Sequence, residues 1–423
     1  MPFSILGIWF RGLVAIAIIA GGITLLKYWY DDSHVVVAER VPARVETPPL
    51  DAGAPRREVV VAVPASRVFR FRPGINRETG YLAGGVGLLL WASLGAIIRR
   101  AVSTMLGGSK PVQPGAADEP RAERTGEVHW INRPDGSQLR VECYGPADAP
   151  PVVMTHGWGC NSTEWFYPKK DLAGQFRLIL WDEPGLGLSS KPDNNDYRLE
   201  NLAEDLKAVL DFAGARPAVL VGHSIGGMIT LTLCKTSPEL LRSRIAGLVL
   251  AHTTYKNPVR TTKMAGFYTA IEKPVIIPML YVTIALWPLV WAMNWLNYLN
   301  GSAHRSTHKD SFAGTETRGQ LDFFARFVPH GRPDVLARGM LGMIGYDATQ
   351  ALPGISVPTL VVVGDKDTTT LSEAGHYIRD KVPGARLVTL SPGKHLGLIE
   401  HHGRFDAAVA EFAGSCQVSG ATF

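Results

Sequence analysis

Only four cysteines occur in 423 residues, and Cys143, Cys160, Cys234 and Cys416 stand far apart with no CxxC pair. That scatter excludes a disulfide-built fold and a thiolate zinc site, and fits free thiols in a reducing compartment. Charge of one sign is equally scarce. Lys and Arg number 43 against 38 Asp and Glu, a net +5 dispersed along the chain, so nucleic acid is not an expected partner. Charged residues make up 19% of the chain and hydrophobic ones 46%. Some stretches lack charge almost entirely, and these point to a membrane.

Two such stretches fill the N-terminal quarter, 1–100. The first, Ile5 to Leu26, is interrupted by Arg11 and ends in Lys27-Tyr28-Trp29-Tyr30, aromatic rings and a lysine suited to headgroup depth. It reads as an anchor rather than a cleaved signal, because bulky residues stand where a small-x-small site would be needed. The second, Gly80 to Ile98, carries no charge and stops at Arg99-Arg100. Its length matches the ~20 residues of a membrane-crossing helix. Its glycines Gly84, Gly85, Gly87 and Gly95 would let helices approach closely.

Spans at about 5–26 and 80–98 leave both ends of the region on one face of a cell membrane. Arg11, Arg99, Arg100 and Lys110 favour the cytoplasmic face; Arg67, Arg70, Arg72 and Arg77 oppose it. The expectation is cytoplasmic. Residues 31–79 show no motif beyond a short strand expected at Val59–Val63. Residues 101–125 read as a linker and 415–423 as a tail.

From Gly126 the rhythm changes. EVHWIN, RPDGS and QLRVECYG predict a hairpin around Pro-Asp-Gly. Strands PVVMTH, FRLILWD, AVLVG, IAGLVLA, PTLVVVG and ARLVTL then alternate with helical patterns. One of these places Leu202, Leu206, Val209 and Leu210 on a single face. Such alternation predicts an α/β domain, a mostly parallel sheet covered by helices on both faces.

Gly222-His223-Ser224-Ile225-Gly226 fits G-x-S-x-G and lies between a strand and a helix, as that turn requires. A hydroxyl needs a base, and the base an orienting acid. His395 in LSPGKHLGLIE and Asp367 in VVVGDKDTTT both follow strands, which brings them to the edge from which Ser224 emerges. Asp365, directly after a strand-closing glycine, is expected to shape its turn instead. His252 follows the strand IAGLVLA, where no carboxylate stands. His401 and His402, without a cysteine or carboxylate cluster, are expected to be solvated and to bind no metal. Main-chain amides of Ile225 and, in the loop His156-Gly157-Trp158-Gly159, of Trp158 are the candidate oxyanion donors. The Trp158 indole could wall an acyl pocket or sit in the core.

Five motifs taken in order, HGWG, WDEPGLGLS, GHSIGG, GDKD and KH, resemble those of the α/β-hydrolases of lid-bearing esterase and lipase type, over about residues 126–414. The resemblance implies an α/β-hydrolase fold: a mostly parallel eight-stranded sheet with flanking helices and a helical cap. The two expected transmembrane helices precede it and lie outside the resemblance. It implies Ser224 as nucleophile, His395 as base, Asp367 as acid and oxyanion amides at Trp158 and Ile225, with no cofactor and no metal. Relatives of similar fold that open epoxides or remove halides place an aspartate where Ser224 stands.

The cap falls at about 253–340. Within it, Pro274 to Asn300 contains no charged side chain, yet one crossing there would part Ser224 from Asp367 across a bilayer. The segment is therefore expected to lie in the interface, to re-enter shallowly, or to pack on its own domain. Pro274, Pro278 and Pro288 should break it into short helices. Trp287, Trp291 and Trp295 recur every four residues on one face and are candidate substrate-binding residues. The expected activity is cleavage of lipophilic carboxylic esters, such as monoacylglycerols, at a membrane. A thioesterase or carbon–carbon hydrolase on the same triad, or an idle membrane scaffold, are the alternatives. The oligomeric state is not legible.

Overall fold

Runs of aliphatic and β-branched residues bounded by glycine, proline and polar turns form ten strands in the computed structural model, which describes residues 2–37, 66–107 and 118–420. The expected Val59–Val63 strand lies outside these. β1 (His34–Val37) and β2 (Ser66–Phe69) make a small antiparallel pair between two long helices, Pro2–Ser33 and Arg77–Gly107. The second helix therefore runs on past Arg99-Arg100 into the expected linker. Nor is the linker's far end free: Arg124 lies 2.5 Å from Glu142 and 3.1 Å from Asp182, both buried acids of the following domain.

The remaining strands are β3 (Glu127–Asn132), β4 (Gln138–Tyr144), β5 (Pro151–Thr155), β6 (Arg177–Trp181), β7 (Ala218–His223), β8 (Ile245–Ala251), β9 (Thr359–Gly364) and β10 (Arg386–Leu390). They form one sheet in the order β10-β9-β8-β7-β5-β6-β4-β3. β3 and β4 are the expected antiparallel hairpin, and every pairing from β6 to β10 is parallel. Alternate side chains enter two cores, one on each face. Val153 and Leu220 join one, while Val152, Met154, Val219 and Val221 join the other. Burial on both faces explains why these strands read as continuous apolar runs. The last helix, His402–Gly420, turns Phe405, Val409, Phe412 and Cys416 into one of these cores. Part of the expected tail is thus core.

In the cap, the apolar stretch is broken as its prolines require. A helix at Ala265–Ile271 gives way to a π-turn at Glu272–Ile276, then to helices Ile277–Ala285 and Trp287–Leu299. Ile276 and Leu280 are fully buried in the same core as β7, and Glu272 accepts a 2.9 Å hydrogen bond from Asn257. The inner face of the stretch therefore packs on its own domain. Its outer face leaves Phe267, Tyr281, Val282, Leu286, Leu289 and Trp291 exposed. The helix Pro2–Ser33 packs against this cap as well as against its neighbour: Trp9 Nε1 donates to Thr283 Oγ1 at 3.0 Å, and Met293 closes on Gly12.

Candidate active site

Parallel pairing brings the carboxyl ends of β5, β7, β8, β9 and β10 to one rim, and the site is assembled there from the loops that leave them. β7 runs straight into the helix Ile225–Thr236, with Ser224 at the junction at φ 53° and ψ −114°. That conformation is strained for a residue with a side chain, and it lifts the hydroxyl off the sheet. No Cβ fits on either flank. At Gly222 it would lie 2.4 Å from the Gly226 carbonyl, and at Gly226 2.3 Å from the Thr155 carbonyl oxygen.

His395, from the loop after β10, lies with Nε2 3.0 Å from Ser224 Oγ and Nδ1 2.9 Å from Asp367 Oδ2. Hydroxyl, imidazole and carboxylate thus form one line, all nearly buried. Asp367 Oδ1 accepts from the amides of Thr369 (2.8 Å) and Thr370 (3.1 Å). Burial alone would raise this carboxyl. The electrostatic pull of the His395 imidazole, its 2.9 Å hydrogen bond and the nearby His252 ring outweigh it and hold Asp367 far below the usual carboxylate range. Burial dominates at His395 and lowers its pKa despite Asp367 beside it. At neutral pH the imidazole is therefore uncharged, with Nδ1–H directed to Asp367 and Nε2 open to a proton from Ser224. A nucleophile, a base and an orienting acid in contact can perform acyl transfer.

The oxyanion side is equally local. Ile225 opens its helix, so its N–H has no carbonyl acceptor within that helix, and the helix dipole reinforces it. The loop with Trp158 leaves β5 beside it, because Thr155 pairs with Gly222 in the sheet.

A family model described as the alpha/beta hydrolase fold matches residues 150–270. A Pseudomonas savastanoi pv. phaseolicola protein named as a carbamate hydrolase is 26% identical over 273 residues, 63% of this chain and 94% of its own length. A pimeloyl-acyl-carrier-protein methyl ester esterase from Aeromonas salmonicida is 28% identical over 288 residues, 65% of this chain and 99% of its own. The solved structure of a hydrolase from Pseudomonas aeruginosa PA01 matches at 26% identity with a TM-score of 0.55, over 69% of this chain and 99% of that one. The chain has the α/β-hydrolase fold.

Several residues of this site escaped the sequence. His252 is buried with Nδ1 3.4 Å from Asp367 Oδ2, and burial depresses its pKa to about 4, so it stands neutral against the carboxylate. The Thr370 hydroxyl lies 3.0 Å from Asp367 Oδ2 and 2.9 Å from the His252 carbonyl. Glu164, fully buried, accepts from the Gly157 amide at 2.7 Å and lies 2.6 Å from His223 Nδ1. Burial opposes charge on His223, yet Glu164 and the His395 carbonyl overcome it and raise its pKa. The x position of a G-x-S-x-G turn, and a glutamate in the short 3-10 helix Ser162–Trp165, carry no signal of this pairing in the sequence.

Asp365 shapes its turn, accepting from Ser391 Oγ and the Gly393 amide, each at 2.8 Å. The Trp158 indole is a core group: Nε1 donates to the Leu336 carbonyl at 3.1 Å, and the ring lies against Gly339 of the cap helix Pro333–Ile344. Trp287 stacks under Arg332, while Trp291 and Trp295 contact each other. Among the described residues, none of the hydrogen bonds or ring contacts of these three tryptophans reaches Ser224, His395 or Asp367. His402 is not simply solvated. It stacks on Tyr167 and faces two carboxylates.

Proposed function

We propose that this chain is a membrane-anchored serine hydrolase that cleaves carboxylic esters of lipophilic substrates. The observation that carries the reading is the continuous line from Ser224 Oγ through His395 to Asp367, with both links near 3 Å. Ser224 attacks the acyl carbonyl as His395 Nε2 takes its proton. The oxyanion is received by the amides of Ile225 and Trp158, and Asp367 stabilises the imidazolium without itself taking the proton. His395 then protonates the departing alcohol, and water, activated by the same imidazole, releases the acid from the acyl-enzyme. Relatives named for a methyl ester and for a carbamate support acyl chemistry of this kind.

The lipophilic and membrane parts rest on surfaces. By length and composition, Leu6–Ser33 and, in the cap, Ala265–Ala285 are apolar enough to cross a bilayer; the cap segment is the one whose Ile276 and Leu280 pack into the domain core. Phe10, Leu13, Ile23, Leu90, Trp91 and Leu94 are exposed on the two N-terminal helices, and both helices contact the cap helix Trp287–Leu299. With both helices crossing, the arginines around them favour a cytoplasmic catalytic domain.

The test is Ser224→Ala in the full chain. It should remain folded and lose fluorophosphonate labelling; labelling at the wild-type level would sink the assignment. Kinetics on esters, thioesters and carbamates of graded acyl length, free and in vesicles, then fix the class. Preference for short soluble esters would defeat the lipophilic reading.

A further inference from the structure

His402 and Asp406, four residues apart, share one face of the C-terminal helix. Asp171 faces them from the helix Phe166–Leu172, and ligand atoms of all three lie within 4.8 Å of one another. Asp406 is 2% exposed. Neither of its oxygens has a hydrogen-bond partner, nor has the buried Nδ1 of His402. The neighbouring cation, Lys170, is engaged by Asp118. The His402 ring is held in one plane against Tyr167, with centroids 3.7 Å apart and 5° between planes.

We propose that Asp171, His402 and Asp406 bind a divalent first-row transition cation of the zinc class, with water completing its shell on the exposed side. A bare ionised carboxylate in this position is strongly disfavoured. A cation satisfies both carboxylates and the orphan imidazole nitrogen at once. One nitrogen and two oxygen donors suit zinc or manganese better than calcium or magnesium, which favour oxygen alone. Two ligands of a tetrahedral zinc sit about 3.4 Å apart, so the cluster must draw in, and the exposed Asp171 is free to swing. None of the three touches the triad. The ion would staple the helix that follows the His395 loop to the one that follows β5, and takes no part in acyl transfer.

The full-length protein, stripped with chelator, is titrated with zinc, cobalt or calcium chloride. The expected result is one zinc per chain, a Tm raised by a few degrees at about 100-fold excess over Kd, visible absorption bands with cobalt, and no response to calcium. Asp171→Asn and His402→Gln should each abolish binding and the Tm rise, while Ser224→Ala keeps both. Because Asp171 is exposed, its variant separates cation binding from folding. No zinc uptake, or a zinc response intact in both variants, overturns the site and leaves a proton shared between Asp171 and Asp406.

Discussion

The imidazole of His223 donates from Nε2 to the main-chain carbonyl of His395 across 3.1 Å. Its other nitrogen meets Glu164, which also holds the Gly157 amide. One buried ion pair thereby ties the base to the loop that carries the Trp158 amide. Neither charge is fit to attack anything. Their placement says that they position what does.

Glu164→Gln should therefore lower stability by about 3–5 kcal/mol, the usual cost of orphaning one partner of a buried pair. It should cut kcat about 10- to 100-fold with little change in KM, through misplacement of His395. The His223 pKa is raised on folding. Its contribution is thus complete below its unfolded value of about 6.5 and is lost as pH climbs through the raised folded value. Thermal melts across pH should show the gap between wild type and variant widest at low pH. A gap that grows with pH would disprove the pairing.

The rate of acylation should rise with pH as His395 loses its proton. Burial lowers the pKa of this group, so the acid limb of kcat/KM should have its midpoint below the ordinary histidine value of about 6.5. A pH–rate profile on a soluble ester reads this directly. A midpoint above 6.5 would contradict the burial of the imidazole.

Gly339 lets the cap helix lie against Trp158: an added Cβ would sit 2.0 Å from the indole ring. Gly339→Ala should push the cap off the loop that carries the Trp158 amide. Trp158→Phe removes the bond to the Leu336 carbonyl, worth about 1 kcal/mol, together with the ring atoms that lie against Gly339, and so relaxes that contact rather than crowding it. Activity should fall far more in Gly339→Ala than in Trp158→Phe, and equal losses would mean that the indole itself is the important group.

At the other end of the cap, Gly12 admits Met293 so closely that a Cβ would lie 2.5 Å from its Sδ. Gly12→Leu should loosen the first helix from the cap and raise hydrogen exchange across residues 287–299. Hydrolysis of a vesicle-borne ester should drop while a short soluble ester is cleaved at the normal rate. Parallel loss on both substrates would remove the link between membrane docking and access to Ser224.

Much of the domain was legible from local pattern. The hairpin around Pro134-Asp135-Gly136, six apolar strand runs and the buried face of Leu202, Leu206, Val209 and Leu210 answer to short-range periodicity. The loops bearing Ser224, Asp367 and His395 were also placed by their strands. At the ends of the domain, charge and small residues look like linker until their partners are known: Arg124 finds Glu142 and Asp182, and Cys416 lies beside Gly247 of β8.

By itself, the order of residues determined the sheet, the elbow at Ser224 and the strand-end loops that carry Asp367 and His395, because turns, strands and a strained serine have local signatures. Only the tertiary structure decided that Glu164 and His223 hold the base, that His252 stands against Asp367, that Trp158 belongs to the cap contact, and that Asp171 meets His402 and Asp406. Those are meetings of single side chains from distant segments. Burial and charge make such meetings strong, yet no spacing along the chain records them.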